Sequence, residues 1–153
     1  MASNFQLDNL DRSILSVLMR DGRTPYTEIA QNLLVSAGTI HVRMKRMEKL
    51  GIVKGVHLLV DPKKIGFDVT SFIGVFLEKG THYKDVIKEM EAIPEITETY
   101  YTTGGYSMFL KVICQNTDHF RQVLNDKIQA IKGVQRTESM ISLEQSINRQ
   151  VEI

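Results

Sequence analysis

Residues 36–50 read SAGTIHVRMKRMEKL, and the spacing of their side chains decides how the neighbouring chain is read. Ile40, Met44, Met47 and Leu50 recur on one arc at helical spacing, while His41, Val42, Lys45, Arg46 and Lys49 fall on the other side. Ser36 is placed to accept from the unpaired backbone N–H groups of the first turn, and Gly51 follows as a stop. A capped helix of about four turns with one basic face fits a DNA major groove. An ordinary surface helix with solvated cations has the same pattern, so the flanking segments must arbitrate.

Upstream, Asp8 begins a helix with Asp11 in its first turn and Leu10, Ile14, Val17 and Leu18 as its inward stripe, ending near Arg20. A second helix is expected from Thr24 as N-cap and Pro25 as first residue, with Ile29, Ala30 and Leu33 facing inward. The link at Leu34 and Val35 is short. Three helices with so short a link before the third make either a plain bundle or a helix-turn-helix, in which the third helix reads DNA, and the basic outer face of the third helix favours the latter. Downstream, residues 52–61 (IVKGVHLLVD) predict a small hairpin, or wing, with Lys54 at its tip. Lys54 is either a phosphate contact or a solvated surface lysine.

Beyond Asp61-Pro62 the period changes. A β-branched and aromatic strand over 69–77 is followed by a helix carrying Tyr83, Val86, Ile87, Met90 and Ile93, which Pro94 stops. Two strands flank a tight turn at Gly104-Gly105, and a helix capped by Thr117 or Asp118 precedes a last strand over 134–143. The fold class is therefore α+β: an N-terminal three-helix helix-turn-helix (winged) domain over 1–60, a linker over 61–67, and a C-terminal ferredoxin-like βαββαβ domain over 68–153. Phe72, Phe76, Met108 and Leu110 cannot all point at the helices, so the other face of the sheet needs a cover, most simply a second copy of the chain.

The charge is divided to match. Residues 1–64 carry +4 and residues 65–153 carry −3, so the first half is the one suited to an anion. Cys114 is the only cysteine, which excludes an intramolecular disulfide, and its apolar alternating surroundings predict a buried thiol. No apolar run reaches the ~18 residues of a membrane span and no signal-peptide pattern is present, so the expected compartment is the cytoplasm. There is no glycine-rich phosphate loop, no metal-ligand spacing among the four histidines, and no Ser/His/Asp grouping, which argues against an enzyme.

With both halves read, the chain resembles the Lrp/AsnC family of transcription regulators. The resemblance rests on LDNLDRSIL at 7–15, the SxxTIxxRMKRMEKLGIVKG pattern at 36–55, DPKKIGFD at 61–68 and YYTTGGYSMFLKV at 100–112. IHVR at 40–43 and the YYTTG-YS pattern look most like the asparagine-responsive branch. The resemblance implies double-stranded DNA as partner, a free amino acid (asparagine suspected) as effector, no other cofactor, and a homodimer that assembles to an octamer. It also implies that the turn after the second strand of the second domain helps to form the effector site. An architectural protein that wraps DNA with no effector, or with a different amino acid, is the alternative.

Candidate roles follow residue by residue. Ser36, Thr39, His41, Val42 and Lys45 are expected near the groove floor, and Arg43, Arg46, Lys49 and Lys54 on phosphates. Arg43 sits at the edge of the apolar arc, where a structural salt bridge competes; His41 is either a base contact or a solvent-facing ring. At the effector turn, Gly104 and Gly105 offer bare backbone, Ser107 and Thr102 hydroxyls, and Tyr100 or Tyr106 a wall, with Asp126 and Gln129 as contributors from a neighbouring subunit. Two positions depart from the family pattern. Ser107 stands where many members have Asp, and Leu34 stands where Gly is common; on the same backbone Leu34 would carry roughly 1–2 kcal/mol of strain.

Overall fold

The structure, a computed structural model, describes residues 6–153; the first five residues of the expected head lie outside these. It divides into two compact units, one formed by residues up to Leu59 together with Ile147–Ile153, the other by Val60–Ser146. The last seven residues, expected with the sheet, thus pack with the first unit instead.

In the first unit α1 (Asn9–Arg20), α2 (Tyr26–Asn32) and α3 (Ala37–Lys49) enclose Ile14, Leu15, Ile29, Ala30, Ile40, Met44 and Met47. α1 starts on a reciprocal cap: the Asp11 N–H donates to Asp8 Oδ1 at 2.8 Å, and the Asp8 N–H returns to Asp11 Oδ2 at 3.3 Å. α2 departs from expectation at its start. Pro25 is the capping residue and Thr24 makes no cap, because its hydroxyl donates to the Asp21 carbonyl and closes the preceding turn. α3 begins where expected, with Ser36 Oγ accepting from Thr39 N–H at 3.0 Å, and it ends before Gly51 at φ 70°. Leu50 is half out of the core rather than in it.

The expected hairpin at 52–61 does not form. The segment runs without strand pairing, and Val56, Leu58 and Leu59 are exposed. Its β-branched and leucine-rich run has no complementary strand in the same unit, so β propensity alone produces no ladder.

The second unit is an antiparallel sheet in the order β2-β3-β1-β4, built from β1 (Val69–Leu77), β2 (Ile96–Tyr101), β3 (Met108–Cys114) and β4 (Val134–Ile141), with α4 (Tyr83–Glu91) and α5 (Thr117–Gln122) on one face. This is the ferredoxin-like arrangement. Alternation assigns the faces: Ile73, Val75, Met108, Leu110 and Val112 are buried beneath the helices. Met108 and Leu110 therefore both face the helices. Phe72 and Phe76 point the other way, where Phe72 stacks on Phe109 at 5.9 Å and Phe76 meets Tyr106 edge-on at 5.1 Å.

α5 is capped by Asn116, whose side chain accepts from His119 N–H, and not by Thr117 or Asp118. It continues as a π-helical stretch, Val123–Ile128, in which the Gln129 N–H reaches back five residues to Leu124 O at 2.9 Å. Val123 and Ile128 are both fully buried although they are five apart; a regular α-helix would set them about 140° apart, and the wider turn brings both to the sheet. Cys114 is a buried free thiol whose pKa burial pushes up to about 11.

Candidate nucleic-acid interface and effector turn

α3 presents the divided surface its sequence implies. Its inner face is closed by Ile40, Met44 and Met47, while His41, Val42, Lys45, Arg46 and Lys49 are exposed, Val42 to 67%. Ser36 and Thr39 are joined at the first turn through their hydroxyls at 2.9 Å. The His41 ring lies 6.1 Å from that of Tyr26 at the start of α2, so it borders the second helix as well as solvent. Lys54 is exposed beyond the end of α3.

Of the two roles expected for Arg43, a phosphate contact or a structural salt bridge, the geometry has the second. Its Nη1 donates to Asp11 Oδ1 at 2.9 Å and also to Asp8 Oδ2, so one guanidinium joins α3 to the N-terminus of α1. Asp11 is only 2% exposed, and a carboxylate so enclosed needs a cation or several donors. The hydrogen bond from Arg43 holds the Asp8 carboxyl below its ordinary pKa, and the same bond raises that of Arg43. The side chain thus ties α3 to the start of α1. The signal was in the sequence: two acids open α1, and Arg43 precedes the buried Met44 by one residue.

The link before α3 keeps the backbone that glycine would favour. Leu34 has φ 55°, the only positive φ outside glycine among the described residues, and its side chain is 92% exposed. An L side chain in this left-handed region is strained.

In the second unit the turn at 102–107 is closed from within. Thr102 N–H donates to Ser107 O at 3.2 Å, and the Thr102 hydroxyl donates to Tyr106 O at 2.8 Å. Gly104 takes φ 101°, and at neither Gly104 nor Gly105 would a Cβ meet another atom within 4 Å, so both open onto free space. Ser107 is tied to β1: its N–H donates to Val75 O at 2.9 Å, and its Oγ accepts from Leu77 N–H at 3.4 Å.

Tyr106 lies across Gly74 on the outer face of the sheet, where a Cβ on that glycine would sit 2.4 Å from the ring. Its hydroxyl donates to Glu138 Oε2 at 2.7 Å, and Glu138 Oε1 in turn pairs with Arg136 at 3.0 Å. The Arg136 guanidinium covers the Phe76 ring at 3.7 Å. None of Gly74, Arg136 and Glu138 is marked by any sequence motif; only strand pairing brings them to the turn. Tyr100 donates its hydroxyl to Glu98 at 2.6 Å on the same outer face.

Asp126 and Gln129 lie elsewhere. Gln129 donates to Thr137 Oγ1 at 2.7 Å, and Thr137 pairs with Val75 on the helix side of the sheet. Among the described residues, no contact joins either side chain to the turn of the same chain. No group of three His, Cys, Asp or Glu residues is placed to hold a metal ion, and no helix is long and apolar enough to cross a membrane, again among the described residues.

Comparison with known proteins bears on both units. Residues 7–48 match the AsnC-type helix-turn-helix domain, and residues 70–151 match the Lrp/AsnC ligand binding domain. The regulatory protein AsnC of Haemophilus influenzae is 47% identical over 145 residues, covering 95% of this chain and 97% of that protein. The structure of Escherichia coli AsnC superposes with a TM-score of 0.91 at 44% identity, covering 97% of this chain and 100% of the other. A Neisseria meningitidis transcriptional regulator in complex with L-Met shares the fold, with a TM-score of 0.87 at 24% identity and 94% of each chain covered.

Proposed function

The chain belongs to the Lrp/AsnC family of DNA-binding transcriptional regulators, and from that premise we propose how its two units divide the work. α3 enters the major groove with Ser36, Thr39, His41, Val42 and Lys45 toward the bases, and Arg46, Lys49 and Lys54 hold the phosphates. Arg43 acts from behind by fixing α3 on α1. The observation that carries this reading is the one-sidedness of α3: a sealed apolar face held by three buried residues, and a cationic face left to solvent.

The second unit takes a free amino acid at the turn 102–107, with asparagine the first candidate. Bare backbone at Gly104 and Gly105 and the hydroxyl of Ser107 suit a small zwitterion. The L-Met complex of the Neisseria regulator supports the ligand class, and the likeness of YYTTGGYS to the asparagine-responsive branch supports the choice within it. Tyr100 and Tyr106 are walls, while Asp126 and Gln129 belong to the site only if a neighbouring subunit brings them. The aromatic outer face of the sheet is covered by a second copy, giving a dimer whose paired heads read a near-palindrome, and four dimers make an octamer.

Two measurements test this. A duplex enriched from random DNA should bind at least ~10³ times more tightly than random sequence; Lys45→Ala should weaken it and reduce that ratio, while Lys49→Ala should lower the salt slope by about 1. An unchanged affinity for Lys45→Ala removes the assignment of α3; a ratio near unity leaves an architectural wrapper instead. In thermal unfolding against each amino acid, a ligand at 100 times its Kd adds ~2.7 kcal/mol. Asparagine should do so selectively, and a flat response to all of them removes the effector site.

A further inference from the structure

Leu34 combines two costs in one residue. An L side chain held at φ 55° is strained, and a leucine exposed to 92% gains nothing from burial in its own unit. Neither cost is offset by the local turn, since among the described residues Leu34 makes only the backbone bond from its N–H to Gln31 O at 3.3 Å, while the tighter bond from Val35 N–H to Ala30 O at 3.0 Å closes the link. Glycine or asparagine would hold the same backbone more easily. Strain that the fold does not need points to a use outside the fold.

The position of the residue narrows that use. It stands two residues before Ser36, the cap of the helix that carries the cationic face, beside the helix N-terminus that a reading helix presents to the base edges. We propose that Leu34 makes an apolar contact with DNA at the edge of the site read by α3, against the hydrocarbon of a deoxyribose or of a thymine methyl group. The inference rests on the reading of α3 as the DNA-binding helix. An apolar side chain in contact with the duplex releases no counterion, so it adds affinity without adding to the salt dependence.

The test uses the full chain and the enriched duplex, with Leu34→Asn, Leu34→Gly, Leu34→Met and Lys45→Ala measured together. Asn and Gly keep the left-handed turn and remove the hydrocarbon; each should weaken binding about tenfold, in proportion to one buried leucine side chain, with an unchanged slope of affinity against salt and no fall in melting temperature. Leu34→Met should bind like the parent. A duplex with uracil in place of thymine separates the two sources: loss of the advantage of leucine assigns the methyl group, and its persistence assigns the sugar. Parental affinity in both the Asn and Gly variants, or a loss that comes with an altered salt slope or a lowered melting temperature, overturns the proposal. If Lys45→Ala weakens binding while both of these variants bind normally, only this inference fails; if Lys45→Ala also binds normally, the reading of α3 fails with it.

Discussion

Arg43→Ala separates a structural arginine from a phosphate-binding one. The substitution removes the donor to Asp8 and Asp11 at once and leaves Asp11, 2% exposed, without its cation. Breaking a fully buried pair costs about 3–5 kcal/mol. Two features reduce that here: the Arg43 side chain keeps 26% of its exposure, and Asp11 still accepts the Asp8 N–H. The expected loss is therefore about 2 kcal/mol of unfolding free energy, which at a urea slope of about 1–3 kcal/mol/M lowers the midpoint by roughly 1 M. Asp11→Asn removes the charge from the other side, and the double variant should be no less stable than Arg43→Ala alone, a coupling of at least ~1 kcal/mol. Binding to the enriched duplex then supplies the second readout. The slope of log affinity against log salt should stay as it was, because a side chain engaged with two carboxylates neutralises no phosphate; a fall of about 1 assigns Arg43 to the DNA. A midpoint within ~0.2 M of the parent, or additive single and double variants, would refute the clamp.

Gly74→Ala should cost about 1–3 kcal/mol, because its Cβ would fall 2.4 Å from the Tyr106 ring and force the ring off Glu138; a urea midpoint equal to the parent's would mean that the ring does not rest there. The same variant should blunt the stabilisation by asparagine, since Tyr106 walls the proposed turn. Cys114, enclosed and with its pKa raised to about 11, should resist a thiol reagent at pH 8 until urea unfolds the chain, and prompt labelling of the native protein would contradict its burial. Acid should destabilise the protein through Asp8 and Glu95. Asp8 is lowered by the hydrogen bond from Arg43; burial alone would raise Glu95, yet hydrogen bonds from Lys127 and His119 outweigh it and hold it low. Groups lowered on folding contribute stability above their unfolded pKa of about 4 and lose it as pH falls through the lower folded value. Urea midpoints should therefore drop steeply below about pH 4, less so in Glu95→Gln.

Elements with a strong local signal were legible in the sequence. α3 and the Asp8 start of α1 are fixed by caps and periodicity within a dozen residues, and β1 by its β-branched run. For Leu34 the sequence left open a strained left-handed turn or a link of another shape, and the structure has the former. Features that depend on distant partners were not legible. Thr24 has the chemistry of a cap but donates to Asp21, and 52–61 has the composition of a hairpin but no strand beside it. Met108 and Leu110 were placed only once the register with β1 fixed the parity of β3. At the candidate site, the exposed face of α3 was plain from spacing; for Arg43 the sequence left a phosphate contact and a salt bridge open, and the geometry of α1 distinguishes them. Gly74, Arg136 and Glu138, the neighbours of Tyr106, are separated from it by about thirty residues of chain and meet it only through strand pairing.

The π-helical stretch at Val123–Ile128 also bears on insertions and deletions. One residue more than an α-helix accommodates is held there as a bulge, so everything C-terminal to it is rotated by about 100° relative to the start of α5. Ile128 therefore takes the core station that residue 127 of an unbroken helix would hold, and Gln129 reaches Thr137 from a station one residue early. Removing a single codon between 124 and 127 would restore regular spacing and still leave the isoleucine on the sheet. The same deletion between Ile40 and Met44 in α3 would swing the rest of that helix by about 100° and carry Met44 and Met47 off the core. The two helices thus differ sharply in tolerance to a one-residue change in length, and alignments of such chains should place their gaps in the first and never in the second.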